Sequence, residues 1–150
     1  MRLKFVTLAL LPLLLVACSA STPTSPPTAP QAITIEAAAM HYQPARIEVT
    51  AGRPVLLTFK NGDSVDHDFS VMEIPMANGT PMAASSPVAG HDTDGMAGMG
   101  SVPVLHMAVG MGSTGTLQFT PTTPGTYQFI CTVAGHKEAG MVGTLIVKAP

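Results

Sequence analysis

Three residues with metal-binding side chains stand at a regular spacing late in the chain. Cys131, His136 and Met141 form a Cys-x4-His-x4-Met pattern, and a glycine directly precedes both His136 and Met141. Thiolate and thioether sulfur suit Cu(I), and imidazole nitrogen also suits Cu(II). Gly135 and Gly140 fit a tight loop, because glycine adopts backbone conformations that other residues rarely adopt. The pattern therefore predicts one loop that directs three side chains at a metal ion.

A fourth ligand is expected from an earlier segment. His67 lies in the run Val-Asp-His-Asp-Phe, which follows the polar turn at residues 61–63 and begins a predicted strand. Two histidines, one cysteine thiolate and a weak axial methionine are the ligand set of blue-copper electron-transfer sites. Taken singly, Cys131 also fits a buried apolar residue, and His67 fits a hydrogen-bonded surface residue. Together the four ligands favour one type 1 copper site.

Short strands must position these residues. From Ala32 onward, short runs of β-branched and apolar residues are separated by turn residues, and no segment has a helical period. This pattern predicts an all-β domain over residues 32–150, an antiparallel Greek-key β-sandwich. The predicted strands are Ile33–Glu36, Arg46–Thr50, Pro54–Asn61, Asp68–Met72, Val102–Val109, Thr114–Thr120, Thr126–Cys131 and Val142–Lys148.

A methionine-rich insert at about residues 76–101 interrupts this pattern and is predicted to be a long loop. Thioethers bind Cu(I), so one hypothesis is a secondary copper site that captures or relays the metal. Another is a soft apolar patch for docking a redox partner. The alternative to both is a flexible insertion with some methionines in the core. The candidate secondary ligands are His91, Met96, Met99, His106 and Met107.

The N-terminal segment predicts export. Arg2 and Lys4 precede an apolar run over residues 5–16, which is shorter than the roughly 20 residues of a membrane-spanning helix. Residues 1–17 are therefore interpreted as a cleaved signal peptide. The sequence Leu-Val-Ala-Cys resembles a bacterial lipobox, with Cys18 as the lipidated residue, and an ordinary signal peptide with an incidental cysteine is the alternative. Residues 18–31 are rich in proline, serine and threonine and predict a flexible tether.

Export has consequences for charge, partners and Cys131. Removal of residues 1–17 would leave five basic and nine acidic residues, a formal net charge of −4. No basic cluster occurs, so we expect no nucleic-acid partner. If Cys18 carries lipid, Cys131 has no disulfide partner and must be buried or metal-bound. We expect a monomer, lipid-anchored to the outer face of the cytoplasmic membrane or located in the periplasm.

The two ligand segments resemble a known family. The runs Val65–Phe69 and Cys131–Met141 are similar to the two copper-ligand motifs of the cupredoxins, in particular the auracyanin, sulfocyanin and rusticyanin branch. The resemblance covers roughly residues 32–148. It implies a Greek-key sandwich, a mononuclear type 1 copper and an electron-shuttling role. The lipobox together with the spacing of the ligand loop makes this chain most similar to membrane-bound auracyanin-like proteins.

This chain departs from the family pattern at two positions. Asp68 stands where relatives often have asparagine or serine, and Ala134 stands where related loops often have proline. The resemblance implies that the Asp68 side chain braces the two ligand segments and that its backbone N–H donates to the Cys131 sulfur. Contacts of this kind tune a metal site. We therefore expect Asp68 and Thr132 to surround the ligands.

The leading functional hypothesis is an electron carrier, not an enzyme, serving extracytoplasmic redox partners of a membrane electron-transport chain. A dinuclear copper site would need two cysteines in the ligand loop, and this loop has only Cys131. No His-Cys-His sequence links the loop to a second copper, and no Ser-His-Asp or paired-carboxylate pattern predicts hydrolysis. The alternative is an extracytoplasmic copper carrier or chaperone that uses the methionine- and histidine-rich insert.

Overall fold

The computed structural model describes residues 29–77, 82–84 and 103–150. Within these ranges the chain forms two five-stranded sheets, one in the order β2-β1-β4-β8-β6 and the other in the order β3-β10-β9-β5-β7. We call them sheet A and sheet B. The strands are β1 (Gln31–Ala38), β2 (His41–Gln43), β3 (Arg46–Thr50), β4 (Val55–Asn61), β5 (His67–Val71), β6 (Met82–Ala84), β7 (Leu105–Val109), β8 (Thr114–Phe119), β9 (Gly125–Ile130) and β10 (Val142–Lys148).

Alternating side chains form the core of the sandwich. In β4, β7 and β10, fully buried residues alternate with more exposed ones, as expected for strands with one face on a core. The largest buried side chains include Phe59, Phe69, Phe129, Leu57 and Leu145. Strand β5 differs, because all five of its residues are buried. The polar residues Asp68 and Ser70, on the face of β5 that points away from the core, are therefore buried as well.

The predicted β-sandwich is confirmed, and each of the eight predicted strands overlaps an observed one. Two further strands, β2 and β6, were not predicted, because each has only three residues. The sheets are mixed where an antiparallel arrangement was expected: β1 pairs in parallel with β4, and β3 pairs in parallel with β10. The parallel pairs arise because the chain crosses to the opposite sheet between the paired strands.

Sheet B brings the predicted ligand segments together. Strands β10, β9 and β5 are adjacent in this sheet. His67 begins β5, Cys131 directly follows β9, and Met141 directly precedes β10. All of these positions lie at the same end of the three strands, because both β10 and β5 run antiparallel to β9. The sheet order thus places residues from two distant parts of the sequence in one region.

Several sequence predictions lie outside the described residues. The signal peptide, Cys18 and most of the tether fall within residues 1–28, and most of the methionine-rich insert falls within residues 78–81 and 85–102. In the part of the chain that is described, no helix has the length and apolar character needed to cross a membrane.

Candidate metal centre

Three side-chain donor atoms meet where β5 begins and β9 ends. His67 Nδ1 lies 3.1 Å from His136 Nδ1 and 3.9 Å from Cys131 Sγ, and Cys131 Sγ lies 3.4 Å from His136 Nδ1. His67 and Cys131 are fully buried, and His136 is partly exposed. The three predicted ligands thus form one compact triangle.

The size and chemistry of this triangle fit a metal ion. A point equidistant from the three atoms lies about 2 Å from each, which is the usual length of a bond between imidazole nitrogen and a transition metal. Two imidazoles and one thiolate in a trigonal arrangement are the equatorial ligands of a blue-copper site. The donor set therefore fits one copper ion, as the sequence predicted.

The backbone of the ligand loop depends on two glycines. Gly135 and Gly140 have φ angles of 83° and 102°, in the region that favours glycine. Turn hydrogen bonds around Gly135 join His136 N–H to Val133 O and Ala139 N–H to Gly135 O, both at 3.0 Å. These turns compact the loop and direct the His136 side chain back toward Cys131. The sequence-based interpretation of both glycines is confirmed.

Met141, the predicted axial ligand, is fully buried at the end of the same loop. Its backbone N–H donates to His136 O at 2.9 Å, and its carbonyl accepts from Cys131 N–H at 3.2 Å. These two bonds tie all three loop ligands together. The four residues His67, Cys131, His136 and Met141 are arranged as expected for one type 1 copper.

The protonation of the ligands is set by their surroundings. Burial, together with the nearby Asp68 carboxylate, raises the pKa of the Cys131 thiol to about 12. Burial also lowers the pKa of His136, with a further contribution from His67. A neutral imidazole has a lone pair available for a metal, whereas the thiol must lose its proton when a metal binds. Copper loading should therefore release a proton from Cys131.

Asp68 links the two ligand segments. Its backbone N–H points at Cys131 Sγ at 3.5 Å. Its carboxylate accepts hydrogen bonds from Thr132 N–H at 2.9 Å, Thr132 Oγ1 at 2.8 Å and Ser70 Oγ at 2.7 Å. The side chain is completely buried. The structure thus shows the contacts that the resemblance implied for Asp68 and Thr132.

Two residues that sequence reasoning missed also hold the site. Tyr42 is buried, and its hydroxyl donates a short hydrogen bond to Asp68 O. Burial raises the pKa of Tyr42 far above its ordinary value, with smaller contributions from Cys131 and Asp68, so the hydroxyl remains a donor. Asp63 Oδ2 lies 3.0 Å from His67 Nε2. No periodic pattern in the sequence indicates either contact, since both depend on how β2 and the β4–β5 loop fold onto β5.

The candidate secondary copper ligands are only partly described. Met107 is buried in the hydrophobic core, and the neighbouring His106 lies on the opposite face of β7, where its Nδ1 is 2.8 Å from Ser70 Oγ. His91, Met96 and Met99 lie outside the described residues. A secondary site therefore stays a prediction, and core packing already accounts for Met107.

Known copper-binding proteins are similar to this chain, which supports the interpretation of the four residues as copper ligands. Residues 29–148 match the family described as copper binding proteins, plastocyanin/azurin family. The copper-resistant cuproprotein CopI of Rubrivivax gelatinosus is 30% identical over 109 residues, which are 73% of this chain and 61% of CopI. Auracyanin-B of Chloroflexus aurantiacus is 53% identical over 36 residues, 24% of this chain and 15% of the relative. Both matches thus span less than two thirds of the relative's length.

Solved structures share the fold. Reduced auracyanin from Roseiflexus castenholzii has a TM-score of 0.57 and 23% identity, covering 80% of this chain and 98% of its own. Auracyanin A from Chloroflexus aurantiacus has a TM-score of 0.57 and 21% identity, covering 80% and 100% respectively. The cupredoxin-like sandwich is therefore confirmed, and the similarity to these auracyanins is one of fold. Because residues 29–148, most of its length, match the family model, this chain belongs to the plastocyanin/azurin family of copper-binding proteins.

Proposed function

We propose that this chain carries single electrons between extracytoplasmic redox proteins of a membrane electron-transport chain, using one type 1 copper. We also propose that it is exported and anchored through lipid on Cys18. The observation that carries the electron-transfer proposal is the ligand triangle. His67 Nδ1, His136 Nδ1 and Cys131 Sγ already surround a single point at bonding distance.

A preformed site suits electron transfer, because the ligands need not rearrange when the charge changes. Bound copper would supply the Cu(II)/Cu(I) couple. Surrounding groups hold the ligands in place: Asp63 contacts His67, the Asp68 N–H points at Cys131 Sγ, and the Met141 backbone is hydrogen-bonded to His136 and Cys131. These contacts favour one geometry for both oxidation states.

His136 offers the route to a partner. It is partly exposed, whereas His67, Cys131 and Met141 are buried. An electron that leaves the site through the His136 ring therefore crosses the least protein. Val65 and Met111, which are 43% and 61% exposed, add apolar surface that suits a transient protein contact.

The first test is visible spectroscopy and voltammetry of the Cu(II)-loaded protein. Wild type should show an intense thiolate-to-copper charge-transfer band and a reversible one-electron couple. Cys131→Ser should lose the band, and Cys18→Ser, which removes the other cysteine, should keep it. In cells, Cys18→Ser should instead move from the membrane fraction to the soluble fraction. A colourless wild type that still binds copper would contradict the electron-transfer proposal.

A copper carrier is the second candidate, favoured by the similarity to CopI, which is described as copper-resistant. A carrier must exchange its metal with a recipient, whereas an electron shuttle should retain it. The methionine- and histidine-rich insert would supply the soft ligands for that exchange.

Copper retention distinguishes the two candidate functions. We would compare wild type with a variant in which residues 85–102 are replaced by a short glycine linker. The electron-carrier proposal expects one copper per chain in both proteins and slow loss of Cu(I) to a competing chelator. The carrier proposal expects a lower copper stoichiometry and slower transfer when the insert is removed, with or without the visible band.

A further inference from the structure

We infer that Asp63 is a positioning residue for the copper ligand His67 and that its carboxylate shifts the site toward Cu(II). The inference deepens the proposed electron transfer and rests on it. Asp63 lies four residues before His67 in the loop between β4 and β5. It is not a ligand in the triangle, yet it contacts the ring of a ligand directly.

The contact decides which nitrogen of His67 faces the metal. Asp63 Oδ2 lies 3.0 Å from His67 Nε2, and an ionised carboxylate can only accept a hydrogen bond. Nε2 must therefore carry the proton, which leaves the lone pair of a neutral ring on Nδ1. That nitrogen is the one 3.1 Å from His136 Nδ1 and 3.9 Å from Cys131 Sγ. A carboxylate behind a metal-binding histidine fixes both tautomer and ring orientation in this way.

The carboxylate is itself held in place by the backbone of sheet A. Its Oδ1 accepts Ala39 N–H at 2.8 Å, and its Oδ2 accepts Met40 N–H at 3.0 Å. Both donors belong to the turn between β1 and β2, where Ala39 and Met40 have φ angles of 51° and 64°. The Asp63 backbone N–H in turn donates to Asn61 Oδ1 at 3.0 Å. The side chain is only 19% exposed, so His67 rests on a fixed support.

The charge on Asp63 has a predictable effect on the two oxidation states. The Asp63 carboxylate accepts N–H hydrogen bonds from Ala39, Met40 and the His67 ring, and an aspartate side chain is ionised at neutral pH. A negative charge bonded to a ligand ring raises the basicity of that ligand. It also stabilises the more positive ion, Cu(II), more than Cu(I). Asp63 should therefore lower the reduction potential of the site.

The test is Asp63→Asn, with Asp66→Asn as its matched control. Both substitutions remove one negative charge from the same loop, but Asp66 contacts Met111 N–H at 3.0 Å rather than a ligand. Asparagine keeps the size of the side chain and an oxygen that can accept a hydrogen bond from His67 Nε2–H. We expect the ratio of Cu(II) to Cu(I) affinity to fall about tenfold in Asp63→Asn, a rise of about 59 mV for a one-electron couple. Asp66→Asn should leave the potential almost unchanged.

A second readout does not depend on electron transfer. Nitrogen-15 NMR of the Cu(I)-loaded protein should show a protected Nε2–H on His67 in wild type and in Asp66→Asn, and a rapidly exchanging one in Asp63→Ala. Equal potentials in Asp63→Asn and Asp66→Asn, or an unchanged His67 signal in Asp63→Ala, would overturn the inference. If wild type lacks a reversible couple while the His67 signal still depends on Asp63, the positioning role stands and the proposed function fails.

Discussion

Asp68 shows how one buried side chain organises the ligands around it. Its carboxylate joins the segment after β9 to β5 through Thr132 and Ser70, and its backbone amide faces the Cys131 sulfur. Tyr42 then fixes the carbonyl of the same residue. Asp68 is thus held at its amide, its carbonyl and its side chain, and a disturbance at any of these groups would reach the sulfur.

At this scale we predict that Tyr42→Phe destabilises the protein far more than Tyr127→Phe. Both substitutions remove one hydroxyl and keep the ring. Tyr42 donates to Asp68 O in the buried interior, whereas Tyr127 donates to Thr123 O at the surface. Leaving a buried acceptor without its partner costs about 1–3 kcal/mol, and a surface change costs about 0.5 kcal/mol or less. Urea denaturation of both variants measures this difference, and equal losses of unfolding free energy would contradict it.

The roles of some single residues could be predicted from the sequence, and the roles of others could not. The four ligands were predicted because their side-chain chemistry and spacing carry the signal locally. Asp63 and Tyr42 carry no such signal, since an aspartate in a polar turn and a tyrosine two residues before a proline are common features of loops. Their roles arise only when the β1–β2 turn is placed against β5, which is a property of the sheet arrangement.

Among the elements, the β9–β10 hairpin carries the ligand loop and also contains a closely packed contact in the core. Gly143 pairs with Phe129 across the hairpin, and a Cβ built on Gly143 would lie 2.1 Å from the Phe129 ring. The ring uses that space to pack against Tyr42 and Phe69, with ring centroids at 4.9 and 5.0 Å. The glycine therefore permits the packing of these three aromatic rings.

We predict that Gly143→Ala destabilises the protein by about 1–3 kcal/mol, the usual effect of overpacking a core. The added methyl group would force the buried Phe129 ring to move. Gly125→Ala at the start of β9 is the control, because its nearest neighbours lie at 3.2 Å on the Tyr127 ring and hydroxyl, which can give way. Thermal unfolding of both variants tests this prediction. A Gly143→Ala variant as stable as Gly125→Ala would show that the Phe129 ring has room to adjust.

The strands were predictable to different degrees. Strands with alternating apolar residues, such as β4 and β10, stood out because one face of each lies on the core. Strand β2 has one buried residue between two exposed ones, which is too little alternation to identify. The parallel pairing of β1 with β4 could not be deduced either, because strand direction depends on crossovers between sheets rather than on local pattern.

At the scale of the whole molecule, the two sheets have different tasks. Sheet B supplies every residue of the ligand set from β5 and the β9–β10 loop. Sheet A supplies supports: Asp63 follows β4, the Ala39–Met40 turn joins β1 to β2, and Tyr42 lies in β2. The metal centre is therefore held by the packing of one sheet on the other, and metal binding should be coupled to global stability.

We predict that copper raises the unfolding free energy by an amount set by its affinity. Free copper at about 1,000 times its Kd adds about 4 kcal/mol, provided that it binds only the folded chain. His136→Ala should lose most of this increment, because it removes one side of the ligand triangle. His41→Ala, which removes an exposed histidine from β2, should keep it. Denaturation with copper and with a chelator gives the increment for each protein, and an equal increment in both variants would contradict the prediction.

The position of β10 in sheet B also bears on the order of events during biosynthesis. Strand β10 lies between β9 and β3, and β3 precedes it by almost a hundred residues. A growing chain therefore has His67 long before Cys131, His136 and Met141, and it cannot close sheet B until β10 has left the ribosome. A chain exported in the unfolded state would cross the membrane without its metal centre, and copper would enter only after the last strand had joined the sheet on the far side.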